Sequence, residues 1–297
     1  MNWTTQDMPD QTGKTAIITG ANSGLGLETA RALAAKGATV IMACRNLEKA
    51  AAAKRDILSS TPNAKLEVMQ LDVANLASVS EFAKAFASQQ QHLDMLINNA
   101  GVMGLPLTKS SDGFEMHFAA NHLGHFALTG LLLEPLRKTA NARVVVVGSA
   151  VERQAKLDFE NLNGERQYNP LAAYGTSKLA NMLFCYELAR RLKQAGINAL
   201  AAAAHPGWTA SNLQQNSPEF RFLNPIFSQN AAQGALPILY AATATDVQNG
   251  EFFGPKGFLE MKGSPKRVKS SRASHDLELA QKLWNVSETM TKVQYAW

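Results

Sequence analysis

Short aliphatic and β-branched runs alternate along this chain with longer stretches in which apolar positions recur at helical spacing. Lys14–Thr19 (KTAIIT), Thr39–Ala43 (TVIMA), Leu66–Leu71, Leu93–Ile97, Arg143–Val147 (RVVVV) and Ile197–Ala203 read as strands. Between them, residues 24–36, 47–59, 75–89 and 171–193 read as helices, and 114–138 contains a long one. Gly37 closes the first helix and Pro62 follows the second, as helix-stopping residues should. The strands are nearly continuous apolar runs rather than alternating ones, which is the pattern of a parallel sheet covered on both faces. Strand–helix alternation through most of the chain predicts a doubly wound α/β sheet in one domain spanning residues 1–297.

After residue 207 the rhythm breaks. Trp208, Leu213, Phe220, Phe222, Leu223, Ile226 and Phe227 lie in a stretch interrupted by Pro218 and Pro225. It follows a strand end directly, where α/β ligand sites form. A lid over an apolar pocket and a short helical excursion packed on the core fit it equally well. Residues 275–289 read as an amphipathic helix, with Leu277, Ala280 and Trp284 on the side that closes the core.

Composition narrows the class. The chain has 297 residues, 46% hydrophobic and 18% charged, which excludes disorder and implies a soluble globular protein. Its formal charge of +5 owes much to 256–272, where Lys256, Lys262, Lys266, Arg267, Lys269 and Arg272 face a single acid, Glu260. Such a stretch can steer an anionic substrate or touch acidic lipids; a solvated loop is the expected reading. Only Phe258 interleaves these charges, so nucleic acid is not an expected partner. The two cysteines, Cys44 and Cys185, form no CxxC, and the polar N-terminus does not resemble a signal peptide. No apolar run approaches the roughly 20 residues that span a bilayer. A cytoplasmic protein without a membrane span is expected.

Chemistry concentrates at two places. Gly20, Gly24 and Gly26 lie between the first strand and the first helix, where small residues let a pyrophosphate approach backbone N–H groups at a helix N-terminus. At the end of the second strand, where NAD-binding sheets carry an acid for the ribose hydroxyl, stand Cys44 and Arg45. A guanidinium there can grip a 2′-phosphate, so NADP(H) is favoured over NAD(H). Farther on, Tyr174 and Lys178 stand four residues apart on one helix face. A nearby ammonium would lower the tyrosine pKa from ~10 toward the working range of a proton-transfer group. His117, Asn121 and His125 share helical spacing and His122 is adjacent. No acid or cysteine joins them in this reading, so no metal site is expected.

These residues together resemble the short-chain dehydrogenase/reductase family over nearly the whole chain. TGANSGLG at 19–26, Asn98-Asn99-Ala100-Gly101, Ser149, Tyr174-Gly-Thr-Ser-Lys178 and Pro206-Gly207 occur in the family's order. ACRN at 43–46, NHLGHF at 121–126, KLAN at 178–181 and GPKG at 254–257 resemble its retinol-dehydrogenase-like branch. The resemblance implies a Rossmann-type sheet, with a cofactor-binding half over about 13–150 and a catalytic, substrate-binding half over about 151–297.

It also implies roles. Asn121, Ser149, Tyr174 and Lys178 would be the catalytic set, Asn121 through a backbone carbonyl that holds a water behind Lys178. Ser149 would bond the substrate oxygen, Tyr174 would deliver its proton, and Lys178 would hold the nicotinamide ribose and depress the tyrosine pKa. Gly20, Asn22, Ser23, Gly24, Leu25, Gly26 and Arg45 would hold phosphates, and Asp72 and Val73 the adenine. Asn99, Ala100 and Gly101 would border the ribose, and Pro206, Gly207 and Thr209 the nicotinamide. Ser149 lies 25 positions before Tyr174, with 152–170 as an insertion of the kind found in the branch. Ser177 is the other serine beside Lys178, but helical geometry puts it off the Tyr174 face.

The implied reaction moves a hydride between NADP(H) and a carbonyl or alcohol, with a lipophilic aldehyde or ketone as substrate. Reduction of a carbon–carbon double bond, epimerisation, and cofactor sensing without turnover are the competing readings. Family members are commonly dimers or tetramers, and the sequence does not choose between these and a monomer.

Overall fold

The computed structural model describes residues 2–209 and 229–297. Its strands are β1 (Thr15–Thr19), β2 (Thr39–Cys44), β3 (Lys65–Gln70), β4 (Met95–Asn98), β5 (Ala142–Val147), β6 (Ala199–Ala204), β7 (Phe252–Pro255) and β8 (Pro265–Arg267). They form one sheet in the order β3-β2-β1-β4-β5-β6-β7-β8. Every pairing is parallel except that of β7 with β8. The helices are α1 (Gly24–Ala35), α2 (Leu47–Ser60), α3 (Leu76–Gln89), α4 (Met116–Phe118), α5 (Gly124–Leu131), α6 (Leu133–Arg137), α7 (Pro170–Gln194), α8 (Ala231–Thr243) and α9 (Leu277–Thr291). The sheet runs outward in both directions from β1 and β4, so a crevice opens beyond the carboxyl ends of those two strands.

Successive strand residues face opposite sides, and each side has its own core. Ile18, Val40, Met42, Val145 and Val147 pack with Leu33 of α1, Ile57 of α2 and Ile238 of α8. Ile17, Ile41, Val144 and Val146 pack with Phe82 of α3, Phe126 of α5, Leu188 of α7 and Trp284 of α9. Each such aliphatic or aromatic side chain, taken out of water, contributes about 1.5–3 kcal/mol against the entropy of ordering the chain. The alanines of β6 let α7 and α8 lie close against its two faces.

The doubly wound architecture is present, with differences in detail. The sheet has eight strands rather than six, and its last strand is antiparallel, so it is mostly rather than wholly parallel. β7 and β8 are too short to give a periodic signal, and Pro237 inside α8 masks a helix. The long helix expected over 114–138 is broken by a π-helical turn at Ala119–Leu123 and again at Leu132. In α9, Ala280, Leu283 and Trp284 face the core, but Leu277, expected among them, is 66% exposed in the first turn. The apolar stretch 208–227 lies outside the described residues apart from Trp208 and Thr209, so neither of its two readings is decided.

Candidate active site

Most of these helices start on a side-chain cap. Asn46, Asn75, Asn169, Asn230 and Asp276 each accept a hydrogen bond from a first-turn N–H, at α2, α3, α7, α8 and α9. At α1 the cap residue is Ser23, and its side chain makes no such bond. The first N–H groups of α1 therefore remain as donors at the crevice, beside a cavity lined by Gly20, Asn22, Ser23, Gly24, Leu25 and Gly26. Gly20 is left-handed (φ 69°). A Cβ on Gly26 would lie 2.7 Å from Asn99 Nδ2 and closer still to the Gly20 carbonyl oxygen, so the turn and the β4 end pack backbone to backbone. Uncapped donors beside a cradle this close fit a pyrophosphate.

The same cavity, about 710 Å³, continues past Arg45, Asp72, Val73, Asn99, Ala100 and Gly101 to Ser149, Tyr174, Lys178, Pro206, Gly207 and Thr209. Of the residues named from the sequence, only Asn121 is absent from its walls. Arg45 is exposed, and its guanidinium is loosely held 4.0 Å from Asp72. Thr209 donates to the Pro206 carbonyl at 2.8 Å. Met103, Leu105, Met116, Val151, Trp208, Leu259 and Met261 make the far wall largely apolar.

At the inner end, Tyr174 and Lys178 are buried on the face of α7 that meets β5. Lys178 Nζ donates to the Val147 carbonyl at 2.9 Å and lies 5.7 Å from the Tyr174 ring centroid. Between Ser149 and α7 the chain makes short helical turns at Ala150–Gln154 and Phe159–Asn161, and Ser149 and Tyr174 line the same cavity. Burial raises the Tyr174 pKa, opposed by the Ser149 hydroxyl, and burial lowers Lys178 to about 8. Ser177 faces away, donating to the Tyr174 carbonyl at 2.7 Å.

Asn121 stands behind the wall, in the π-helical turn. Its amide group accepts from Val102 N at 2.8 Å, and donates to Val102 O at 3.0 Å and to Ser177 Oγ at 2.9 Å. It therefore pins the loop after β4 to α7. Its backbone carbonyl, expected to hold a water, meets His125 Nδ1 at 3.1 Å.

This fixes the tautomers in one chain of bonds. His125 Nδ1–H donates to that carbonyl, so Nε2 accepts from the Thr19 hydroxyl at 2.9 Å. Thr19 Oγ1 in turn accepts from the N–H groups of Asn99 at 2.9 Å and Ala100 at 2.8 Å. One hydroxyl and one imidazole join the glycine turn, the β4 end and the catalytic helices. Sequence reasoning named Thr19 in TGANSGLG and His125 in NHLGHF but missed the bond between them.

The other histidines also go to separate partners. His122 donates to Ser287 at 2.8 Å. His117 meets Glu115 at 2.6 Å, an acid that the sequence reading did not bring to it, and Tyr168 donates to the same carboxylate at 3.0 Å. Leu105 N donates to His117 Nε2 at 3.3 Å, so this cluster anchors the substrate-side loop to the inserted segment. Glu260 is a second unanticipated group. It accepts from Arg153 at 2.6 Å and meets His205 Nε2 at 2.9 Å, while Gly207 N donates to His205 Nδ1 at 3.2 Å. The loops that follow β5 and β6 are tied together through it.

Comparisons with known proteins agree with this geometry. Residues 14–221 match the short chain dehydrogenase family. Retinol dehydrogenase 12 of Mus musculus is 42% identical over 289 residues, covering 95% of this chain and 88% of that protein. Retinol dehydrogenase 11 of Homo sapiens is 41% identical over 280 residues, covering 93% and 85%. Among solved structures, an uncharacterised Mycobacterium paratuberculosis protein is 41% identical with a TM-score of 0.85, each chain covered completely. The RhlG/NADP active-site complex of Pseudomonas aeruginosa is 25% identical with a TM-score of 0.65, covering 81% of this chain and 94% of that one. The cavity belongs to an oxidoreductase of alcohols and carbonyls that uses a nicotinamide cofactor, and the chain is a member of the short-chain dehydrogenase family, in its retinol-dehydrogenase-like branch.

Proposed function

We propose that this enzyme reduces a lipophilic aldehyde or ketone with NADPH, using Tyr174 as the proton donor. The observation that carries the reading is the buried phenol of Tyr174, close to Lys178 and sharing with Ser149 a cavity whose lining is largely apolar. The nicotinamide, when bound, supplies the hydride.

The chain's own groups do the rest. The uncapped α1 N-terminus and Gly20–Gly26 hold the pyrophosphate, Asp72 and Val73 the adenine, and Asn99–Gly101 the adjoining ribose. Arg45 is exposed and loosely held, which leaves it available to a 2′-phosphate and supports NADP(H) over NAD(H). The similar RhlG of Pseudomonas aeruginosa is an NADP complex, which supports the same choice. Lys178 takes the nicotinamide ribose, and Pro206, Gly207 and Thr209 border the ring. Ser149 and Tyr174 donate to the substrate oxygen and stabilise its developing negative charge. Tyr174 then releases its proton to that oxygen, and the Lys178 ammonium steadies the phenolate left behind. Asn121 keeps the loop after β4 in register with α7.

Both cysteines are unpaired and buried, which suits a reducing compartment, and we place the enzyme in the cytoplasm. Among the described residues no helix is long and apolar enough to cross a membrane.

The test is NADPH and NADH consumption with aromatic, aliphatic and retinoid aldehydes, wild type against Tyr174→Phe. NADPH should be much the better cofactor. The substitution should cut turnover by about 10²–10⁴-fold while NADPH binding persists. Because Lys178 sits at about 8, reduction by the wild type should weaken as the pH rises past that value. Undiminished activity in Tyr174→Phe overturns the assignment; a wild type that binds NADPH and reduces no carbonyl points to sensing.

A further inference from the structure

We propose that the turn between β7 and β8 docks the protein on an anionic phospholipid bilayer, with Phe258 and Leu259 entering the headgroup boundary between Lys256 and Lys262. The two strands are antiparallel, and beyond them Lys256 N donates to the Ser264 carbonyl at 2.9 Å and Gly257 N to the Lys262 carbonyl at 3.0 Å. The excursion narrows to a tip at residues 258–261. Leu259 (φ 48°) and Glu260 (φ 57°) are both left-handed there, a conformation that costs side-chain-bearing residues and persists only where contacts enforce it.

The contacts are those of Glu260. Arg153 and His205 draw its carboxylate inward, leaving its side chain 17% exposed. The same backbone turns the neighbouring side chains out. Phe258 is 82% exposed and Leu259 68%, the highest values among large apolar side chains of the described residues. Glu260 is also the only acid in the stretch 256–272, so the turn that exposes the apolar pair hides the negative charge. Lys256 and Lys262 flank the tip and are exposed, with Lys266 farther along β8. Among the described residues, Lys256 bonds the neutral side chain of Asn2 and makes no ion pair. Arg267 is neutralised by Glu251 and Asp246 and offers no free charge to the surface.

Charge and shape select the occupant. A stable protein partner needs about 800 Å² on each side, far more than two side chains supply. A bilayer needs only a tip that inserts a few ångströms and cations at headgroup level. Each lysine near an anionic surface raises partitioning about fivefold. Leu259 and Met261 also line the cavity, so the docked tip forms part of its rim. A carbonyl compound dissolved in the bilayer would then reach the site at the membrane surface. That last point rests on the proposed lipophilic substrate; the docking does not.

The experiment is co-sedimentation of the full chain with phosphatidylcholine vesicles, with and without phosphatidylglycerol. The wild type should bind the mixed vesicles and leave the neutral ones largely free. Lys256→Gln with Lys262→Gln should weaken binding about 25-fold, the product of two such lysines. Phe258→Ser should weaken it about tenfold. Phe258 and both lysines are exposed and outside the cavity, so these variants should reduce a water-soluble aldehyde at the wild-type rate without vesicles. Absence of that activity in the wild type would count against the proposed reaction and leave the vesicle result standing. No binding of the wild type to mixed vesicles, or equal binding by the variants, overturns the docking. So does a change of oligomeric state in Phe258→Ser, which would assign the tip to a second copy of the chain.

Discussion

Mild acid should destabilise this protein through two histidines that never touch solvent. His122 and His125 are buried, and burial lowers them from about 6.5 to about 3 and about 4. Below pH 6.5 the unfolded chain takes up protons that the folded chain refuses. Stability is therefore full above that pH and declines as the pH falls, until about 4 for His125 and about 3 for His122. Within the shared window each histidine contributes about 1.4 kcal/mol per pH unit. Between pH 6.5 and 5 the pair should remove about 4 kcal/mol, a large part of a typical total of about 5–15 kcal/mol. Urea unfolding followed by tryptophan fluorescence, at pH 7 and at about pH 5, reads this directly. His122→Gln should start less stable, because a donor to Ser287 and an aromatic contact change. It should then lose only about half as much on acidification. A wild type with no pH dependence in this window refutes the reasoning, as does a variant with an unchanged slope. Activity of the folded enzyme should persist until the pH nears 4, where His125 takes up a proton and can no longer accept from Thr19.

Arg45→Ala should raise the KM for NADPH by about 10–100-fold and leave that for NADH nearly unchanged, as expected for one charge-assisted contact; steady-state kinetics with both cofactors decides. Gly26→Ala should destabilise the chain by about 1–3 kcal/mol, read by thermal unfolding, because the added methyl meets the Gly20 carbonyl and Asn99. Burial raises the Glu260 pKa, but hydrogen bonds from His205 and Arg153 outweigh it and bring the carboxyl to about 2. Its contribution is present above about 4.5 and lost as the pH falls toward 2, so Glu260→Gln should flatten the acid unfolding curve in that window.

The architecture was legible wherever residues repeat with a period. β1, β2 and β5 are continuous aliphatic runs, and α7 carries Tyr174 and Lys178 on one face, so the sequence pattern is also the spatial pattern. The cavity wall followed because α/β sheets place their sites at strand ends, and TGANSGLG, Asn99–Gly101, Ser149 and Pro206-Gly207 all stand at such ends. What stayed hidden depends on contacts between distant positions. Thr19 reaches His125 across 106 residues, and Arg153 reaches Glu260 across 107. Neither pair has a local spacing that would reveal it. Spacing shows that an ammonium is near Tyr174, but the depth of burial, which raises the tyrosine pKa, comes only from packing.

The borders of the sheet carry one further consequence. At one margin β8 is three residues long, Pro-Lys-Arg, with a proline that cannot donate to another strand and two exposed cations. At the other, β3 (KLEVMQ) begins at an exposed lysine and ends at an exposed glutamine, with Glu67 between them. A neighbouring molecule seeking to add a strand meets charge and a missing donor on one side, and charge on the other. The chain is thus guarded against edge-to-edge growth, the usual route by which sheet proteins form aggregates.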